Sequence, residues 1–356
     1  MPGSIPNIIV LGFCKEWYFY CFMQLNKNIK IFINYFLGPL LFAWLIFSIY
    51  NQIKNQPNIE ASWLHIKDSF KSYKIFYLFV AVILVLFNWG IEAKKWQLSV
   101  KPVYPVSFKQ SFKAILAGVS FSVTTPNRVG EYLGRMLYVP DGSRLKTIAV
   151  TLVGSLSQLL ITLICGIIGL IVLKNNLIQA EIIGRVWYQF ALFGIVFITL
   201  ILLLIYFGVH EIALWFNKVL KRTSYLYLVE SLKAFDNSLL LKLLLLSFFR
   251  YTVFIIQYFL LFSLFDVHVS LWIVWCVLNV VFLAMAIIPS IALVEVGIRG
   301  EISLKLMGLF SVNSLGIGLT SITIWFINLI MPAVVGSILI LSVKVFIKKN
   351  PGSVSK

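Results

Sequence analysis

Apolar residues gather in long, nearly unbroken runs along this chain, and polar residues come as short groups between them. Crossing a bilayer as a helix takes about 20 consecutive apolar residues. Six runs reach that length, at roughly 31–50, 75–93, 147–173, 187–208, 239–265 and 315–346. Two others are shorter and stop at a proline: Phe112–Thr125 before Pro126, and Leu271–Ile288 before Pro289. Each continues into a moderately apolar, helix-like piece, at roughly 128–140 and 293–310. Short, Pro-interrupted segments at corresponding positions of two halves point to a transporter-type binding site.

Composition strengthens that picture. Hydrophobic residues make up 60% of the chain and charged residues only 12%, against about 25% charged in a soluble domain. The formal charge of +17 could suggest nucleic acid. The basic residues instead sit at the ends of apolar runs, where they set orientation and meet anionic lipid headgroups. No nucleic-acid partner is expected. Cys14, Cys21, Cys165 and Cys276 lie in or near apolar stretches without paired spacing and read as small hydrophobes.

Orientation decides how the two broken segments lie. If both turn back within the membrane and the N-terminus is cytoplasmic, most basic residues fall inside. Lys94, Lys95, Lys101, Lys109 and Lys113 are among them. Were both segments to cross, the basic stretch 209–238 would lie outside, against the positive-inside rule. The expected fold is therefore an all-α polytopic integral membrane protein with six full spans and two Pro-broken re-entrant helical hairpins. These eight membrane segments form an inverted repeat with both termini cytoplasmic. Residues 1–22 read as a non-native or interfacial extension, because a conventional start begins at Met23. Residues 23–346 form one transmembrane domain, with halves at 23–173 and 187–346 joined near 174–186. An amphipathic stretch covers 209–236, and 347–356 is a basic cytoplasmic tail.

Candidate chemistry concentrates in the broken segments. Thr125 suits a helix N-cap and Pro126 its first position. On that helix Arg128, Glu131 and Arg135 share a face at i, i+3 and i+7, with Asn127 adjoining them. Gly130 and Gly134 would let another helix approach closely. One ionised side chain at the bilayer centre costs roughly 2.5–3.5 kcal/mol, so this trio must pair or face water. Two readings follow: a phosphate or carboxylate headgroup site, or a structural Arg–Glu–Arg clamp. In the second segment Glu295 and Arg299 are an i, i+4 pair, read either as a gate or as a local ion pair. Arg250 and Asn88 are isolated within spans; Arg250 either snorkels to the interface or contacts substrate. Gln158 and Gln257 read as interhelical hydrogen-bonding groups. His65, His210 and His268 are far apart in sequence. No metal, cofactor or catalytic residue is expected.

The stretch from Ala114 to Tyr138 resembles the transmembrane, flippase-like region of lysylphosphatidylglycerol synthases and their stand-alone relatives. Gly118, Pro126, Gly130-Glu131 and Arg135 match that family's first motif, and Lys95-Trp96 its upstream basic-Trp element. Pro289 and Glu295, followed by Gly308, are similar to its second motif, and the resemblance runs from about residue 25 to 346. Ala292-Leu293-Val294 departs from the glycine-rich stretch usual before that glutamate. The synthases' aminoacyl-transferase domain is not expected here. The resemblance implies a flippase-like transporter of a polar-headgroup lipid, of phospho- or polyprenyl type, in a bacterial inner membrane. The alternatives are an integral-membrane transferase acting on a lipid-linked substrate through Glu131 or Glu295, a polar-solute transporter, or a non-transporting scaffold.

Overall fold

The computed structural model describes residues 59–348 apart from 124, 126, 127, 220–229 and 290, together with positions 47, 50, 51 and 54. Its regular structure is wholly helical among the described residues. The helices are α1 (Ile59–Lys71), α2 (Ile75–Val100), α3 (Phe108–Ser122), α4 (Gly130–Met136), α5 (Arg144–Gln179) and α6 (Arg185–Phe207). They continue with α7 (Val209–Val219), α8 (Asn237–Leu264), α9 (Leu271–Ile287), α10 (Ala292–Met307), α11 (Ser314–Trp325) and α12 (Met331–Lys348). Among the described residues five helices are long and apolar enough to cross a membrane: Ile75–Val100, Asp141–Gln179, Arg185–Phe207, Asn237–Leu264 and Ser314–Ile340. These coincide with five of the six predicted spans. The sixth, 31–50, falls almost wholly outside the described residues, as does the 220–229 part of the predicted amphipathic stretch.

Side-chain caps place several of the starts. Ser107 and Gln110 form a reciprocal capping box at α3, with Gln110 N–H donating to Ser107 Oγ at 3.2 Å and Ser107 N–H to Gln110 Oε1 at 3.1 Å. Asp236 caps α8 and Asn313 caps α11, accepting from Leu239 N–H at 3.0 Å and Gly316 N–H at 2.9 Å. A π-turn over Phe326–Ile330 joins α11 to α12. It lies just before Pro332, whose ring would clash in a regular helix with the carbonyl four residues back.

The shorter pieces pack in pairs where the two broken segments lie. Helix α4 runs back along α3, and α10 packs on α9. Gly130 faces the carbonyl of Phe121, and Gly134 faces the backbone of Ala117 and Gly118, so closely that a Cβ at either position would meet main-chain atoms. The close approach predicted for these two glycines is thus made by the first arm of their own hairpin.

Helices α2 and α8 pack side by side through the middle of the bundle. Around them the contacts are reciprocal: α3 of the first hairpin lies on α12 of the second half, and α9 of the second hairpin lies on α5 of the first half. Helix α6 stands at the edge. It presents Phe190, Phe193, Phe197 and Leu204 outward, and is tied inward where Tyr188 Oη donates to Leu170 O at 3.1 Å and Tyr206 Oη to Leu240 O at 2.8 Å.

Candidate functional site

Helix α2 carries a polar stripe through an otherwise apolar span. Asn88, Glu92, Lys95 and Ser99 recur at i, i+4, i+7 and i+11, which sets them on one face, and all four are buried. Glu92 is the hub. Its Oε1 pairs with Arg135 of α4 at 3.1 Å, and its Oε2 with Lys95 at 2.8 Å and Arg250 of α8 at 3.1 Å. Each partner is held a second time. Arg135 reaches Glu131 at 2.9 Å, Lys95 Nζ donates to Ser247 Oγ at 3.4 Å, and Arg250 Nε donates to Asn88 Oδ1 at 2.7 Å. The Arg250 guanidinium also lies 5.1 Å from the ring centroid of Trp89, a cation–π position. One carboxylate therefore ties α2, α4 and α8 together.

A second cluster joins the two hairpins. Arg128, in the turn before α4, donates through Nη2 to both oxygens of Glu295 on α10, at 2.9 and 3.0 Å. Arg299, one turn further along α10, pairs with the same carboxylate, and its Nη1 donates to Tyr258 Oη of α8 at 3.4 Å. Arg128 sits at φ 56°, a left-handed conformation costing roughly 1–2 kcal/mol for a side chain with a Cβ. Such strain persists where surrounding contacts over-determine it. Here the chain reverses from α3 into α4 while its guanidinium reaches across to the other hairpin.

This geometry redistributes the residues marked from sequence. The predicted helix beginning at Pro126 would set Arg128, Glu131 and Arg135 along one face; α4 instead begins at Gly130, leaving Arg128 outside it. Thr125 is not the N-cap of that helix, a place taken by Val129, although its Oγ1 accepts from Gly130 N–H at 2.8 Å. Glu131 and Arg135 remain partners, whereas Arg128 turns to Glu295. Asn127 lies outside the described residues. Arg250 points into the bundle rather than to an interface. Lys95, predicted in a cytoplasmic loop, is buried within a helix that continues to Val100. Glu92 is not among the residues marked from sequence. The available signal was the Asn88–Glu92–Lys95 spacing, which puts three polar groups on one face at the end of an apolar run.

Both clusters meet a cavity of about 580 Å³. Arg128, Arg250, Glu295 and Arg299 supply its charge, Gln158 and Thr162 of α5 add polar groups, and Phe254, Phe282 and Met285 form an apolar wall. Ile287, Ile288 and Pro289 make an exposed rim at the turn into α10. In their ordinary ionised forms, Lys95, Arg135 and Arg250 stand against Glu92 and Glu131, and Arg128 and Arg299 against Glu295. Each cluster keeps one positive charge in excess. At roughly 2.5–3.5 kcal/mol per uncompensated charge at membrane depth, two surplus cations would cost on the order of 6 kcal/mol unless water or an anion meets them. Among the described residues no group of three or more His, Cys, Asp or Glu side chains is placed to hold a metal.

Comparison with known families accords with the architecture. A family model described as the lysylphosphatidylglycerol synthase TM region matches residues 35–336. That is most of the chain, which therefore belongs to this family as a multi-pass membrane protein. No curated protein and no solved structure matches it.

Proposed function

We propose, from membership of that family and from the cavity between the hairpins, that this chain is a flippase-like transporter. It moves a lipid with a polar headgroup, of phospho- or polyprenyl type, between the leaflets of a bacterial inner membrane. The observation that carries this reading is the make-up of one cavity: three arginines and a glutamate inside, an apolar wall, and an exposed apolar rim. A polar solute needs only the charged part. A lipid needs both, because its tails stay among apolar groups while the headgroup leaves water.

Transporters built from inverted repeats place their sites near the midplane, where discontinuous helices meet. The reciprocal packing of α3 on α12 and α9 on α5 supports that arrangement, as does the ion pair between Arg128 and Glu295 at the hairpin turns. In this mechanism a headgroup enters along the rim and its anionic oxygens compete with Glu295 for Arg128. Release of that pair uncouples the hairpins, and the halves rock to open the cavity to the other leaflet. Glu295 closes the pair again once the lipid leaves.

Fluorescent-lipid exchange in proteoliposomes tests the reading. Arg128→Gln and Glu295→Gln should each slow leaflet exchange about tenfold or more, the scale of losing one charge-assisted contact. Exchange at wild-type rate in both variants, at matched folding and reconstitution, would sink the proposal. Turnover of a lipid-linked substrate into a new product would instead favour a transferase.

A further inference from the structure

We infer that the headgroup taken by this cavity carries a phosphate monoester, a dianion, rather than a phosphodiester or a zwitterion. The inference rests on the lipid-site reading above and goes further, because it concerns which headgroup charge the site is built to neutralise. The balance is set by the pairings. Glu92 and Glu131 leave one of Lys95, Arg135 and Arg250 uncompensated, and Glu295 leaves one of Arg128 and Arg299 uncompensated. Arg250 carries the first excess to the cavity wall; Arg128 and Arg299 carry the second. A phosphate monoester bears about −1.5 to −2 at neutral pH, which meets both. A phosphodiester bears one negative charge and leaves a cation unmet, and a zwitterion brings a further cation into the site.

The unused donors agree with this count. A guanidinium offers five N–H donors and no acceptor. Arg128 spends only Nη2, on Glu295, and Arg250 spends Nε and Nη1, on Asn88 and Glu92. The buried Arg299 Nε has no hydrogen-bond partner among the described residues. Three arginines therefore offer spare donors on one cavity. A monoester has three terminal oxygens to receive them, a diester two. Among the described residues Glu295 is the only carboxylate on the wall, and the Arg128 side chain, 40% exposed where that of Glu295 is 9%, is the one free to turn toward a ligand.

The test is a competition read by native mass spectrometry. The purified full chain is offered an equimolar mixture of phosphatidic acid, phosphatidylglycerol and phosphatidylcholine with one acyl composition. A second arm replaces phosphatidic acid by a long-chain prenyl monophosphate. Retention of one or both monoesters over phosphatidylglycerol by about tenfold, the order expected for one more charge-assisted pairing, supports the inference. Whichever monoester is preferred identifies the source of the phosphate. Arg128→Gln and Arg250→Gln should each remove most of that preference. Phosphatidylglycerol retained as well as both monoesters overturns the inference, and so does a monoester preference that survives both substitutions. The wild-type competition needs no variant, so a folding defect in either leaves it decisive. Leaflet exchange without monoester preference would remove this inference and leave the transport reading standing. Monoester preference without exchange would do the reverse.

Discussion

Replacing Glu92 by Gln offers the sharpest test of how the bundle is held, since it keeps the side chain's size while removing one charge. Glu92 meets Lys95 at 2.8 Å and Arg135 and Arg250 at 3.1 Å, with its side chain only 6% exposed. At an effective dielectric near 20, a pair about 3 Å apart gains roughly 5 kcal/mol gross. Three such pairs far exceed any plausible net contribution, because burying four charges offsets most of it. The net is better taken from buried pairs broken on one side, which cost about 3–5 kcal/mol through the charge left behind. Here three cations would be left with Glu131 as their one carboxylate, which places the loss at the upper end of that range. At about 1.3 °C per kcal/mol for a chain of this size, a loss near the upper end, about 5 kcal/mol, should lower the detergent-solubilised melting temperature of Glu92→Gln by roughly 6 °C. Combining Glu92→Leu with Lys95→Met should recover a good part of the loss, since one orphaned cation goes with the carboxylate, while Arg135 keeps Glu131 and Arg250 keeps Asn88. A shift within about 2 °C for Glu92→Gln would refute the reasoning, because it would mean that water already solvates this carboxylate.

Other consequences can be checked with the same preparations. Gly134→Val should abolish recovery of monodisperse protein in size-exclusion chromatography, because its Cβ would meet the backbone of Ala117 and Gly118. Gly336→Leu should do likewise by pushing α12 off the carbonyl of Leu116, whereas Gly194→Ala, in open space on α6, should leave the elution profile unchanged. Burial raises the Asp266 pKa, but the hydrogen bond and charge of Lys74, with His268 and His65, outweigh it and hold the carboxyl below its ordinary value. That stability is present above the unfolded carboxylate pKa of about 3.9 and is lost as pH falls through the lower folded value. The melting temperature should therefore drop more steeply below about pH 4 in wild type than in Asp266→Asn, which keeps a side chain tolerant of the left-handed conformation found there. Equal acid sensitivity in the two proteins would remove Asp266 as a contributor.

Much of the helical layout was legible because a lipid-solvated helix must be long and apolar, and length is written directly in the residues. The hairpins were legible for a related reason: Pro126 and Pro289 cut runs too short to cross, and Gly130 and Gly134 marked where backbones could touch. What escaped was every feature whose partner lies far away in sequence. The predicted second span stopped at 93 because Lys94 and Lys95 broke its hydropathy, yet α2 runs on to Val100. Hydropathy counts a charge as exposed to lipid, and cannot know that Glu92 is met by arginines 43 and 158 positions downstream. The Arg128–Glu295 pair spans 167 positions and escaped for the same reason. The Thr125-Pro126 signal placed the cap too early: the helix starts at Gly130, with Val129 as its N-cap.

The two clusters are built differently, and the difference bears on what each can do. Around Glu92 both carboxylate oxygens are taken, each cation has a second partner, and the side chains of Glu92, Lys95 and Arg135 are 6% exposed or less. Moving any one of them exposes an unpaired charge to a low-dielectric interior, so this cluster fixes α2, α4 and α8 as one body. Around Glu295 the pattern is uneven. Arg299 is anchored on its own helix and on Tyr258, but Arg128 stands on a strained turn and is held to the second hairpin by a single nitrogen shared between two oxygens. An anion arriving in the cavity can take over Arg128 without stranding Glu295, which keeps Arg299. The reverse exchange at Glu92 has no such fallback, since among the described residues Lys95 and Arg250 pair with no other carboxylate. On the transport reading proposed above, the rigid joint of the bundle is at Glu92 and the separable one at Arg128–Glu295, where the two hairpins meet.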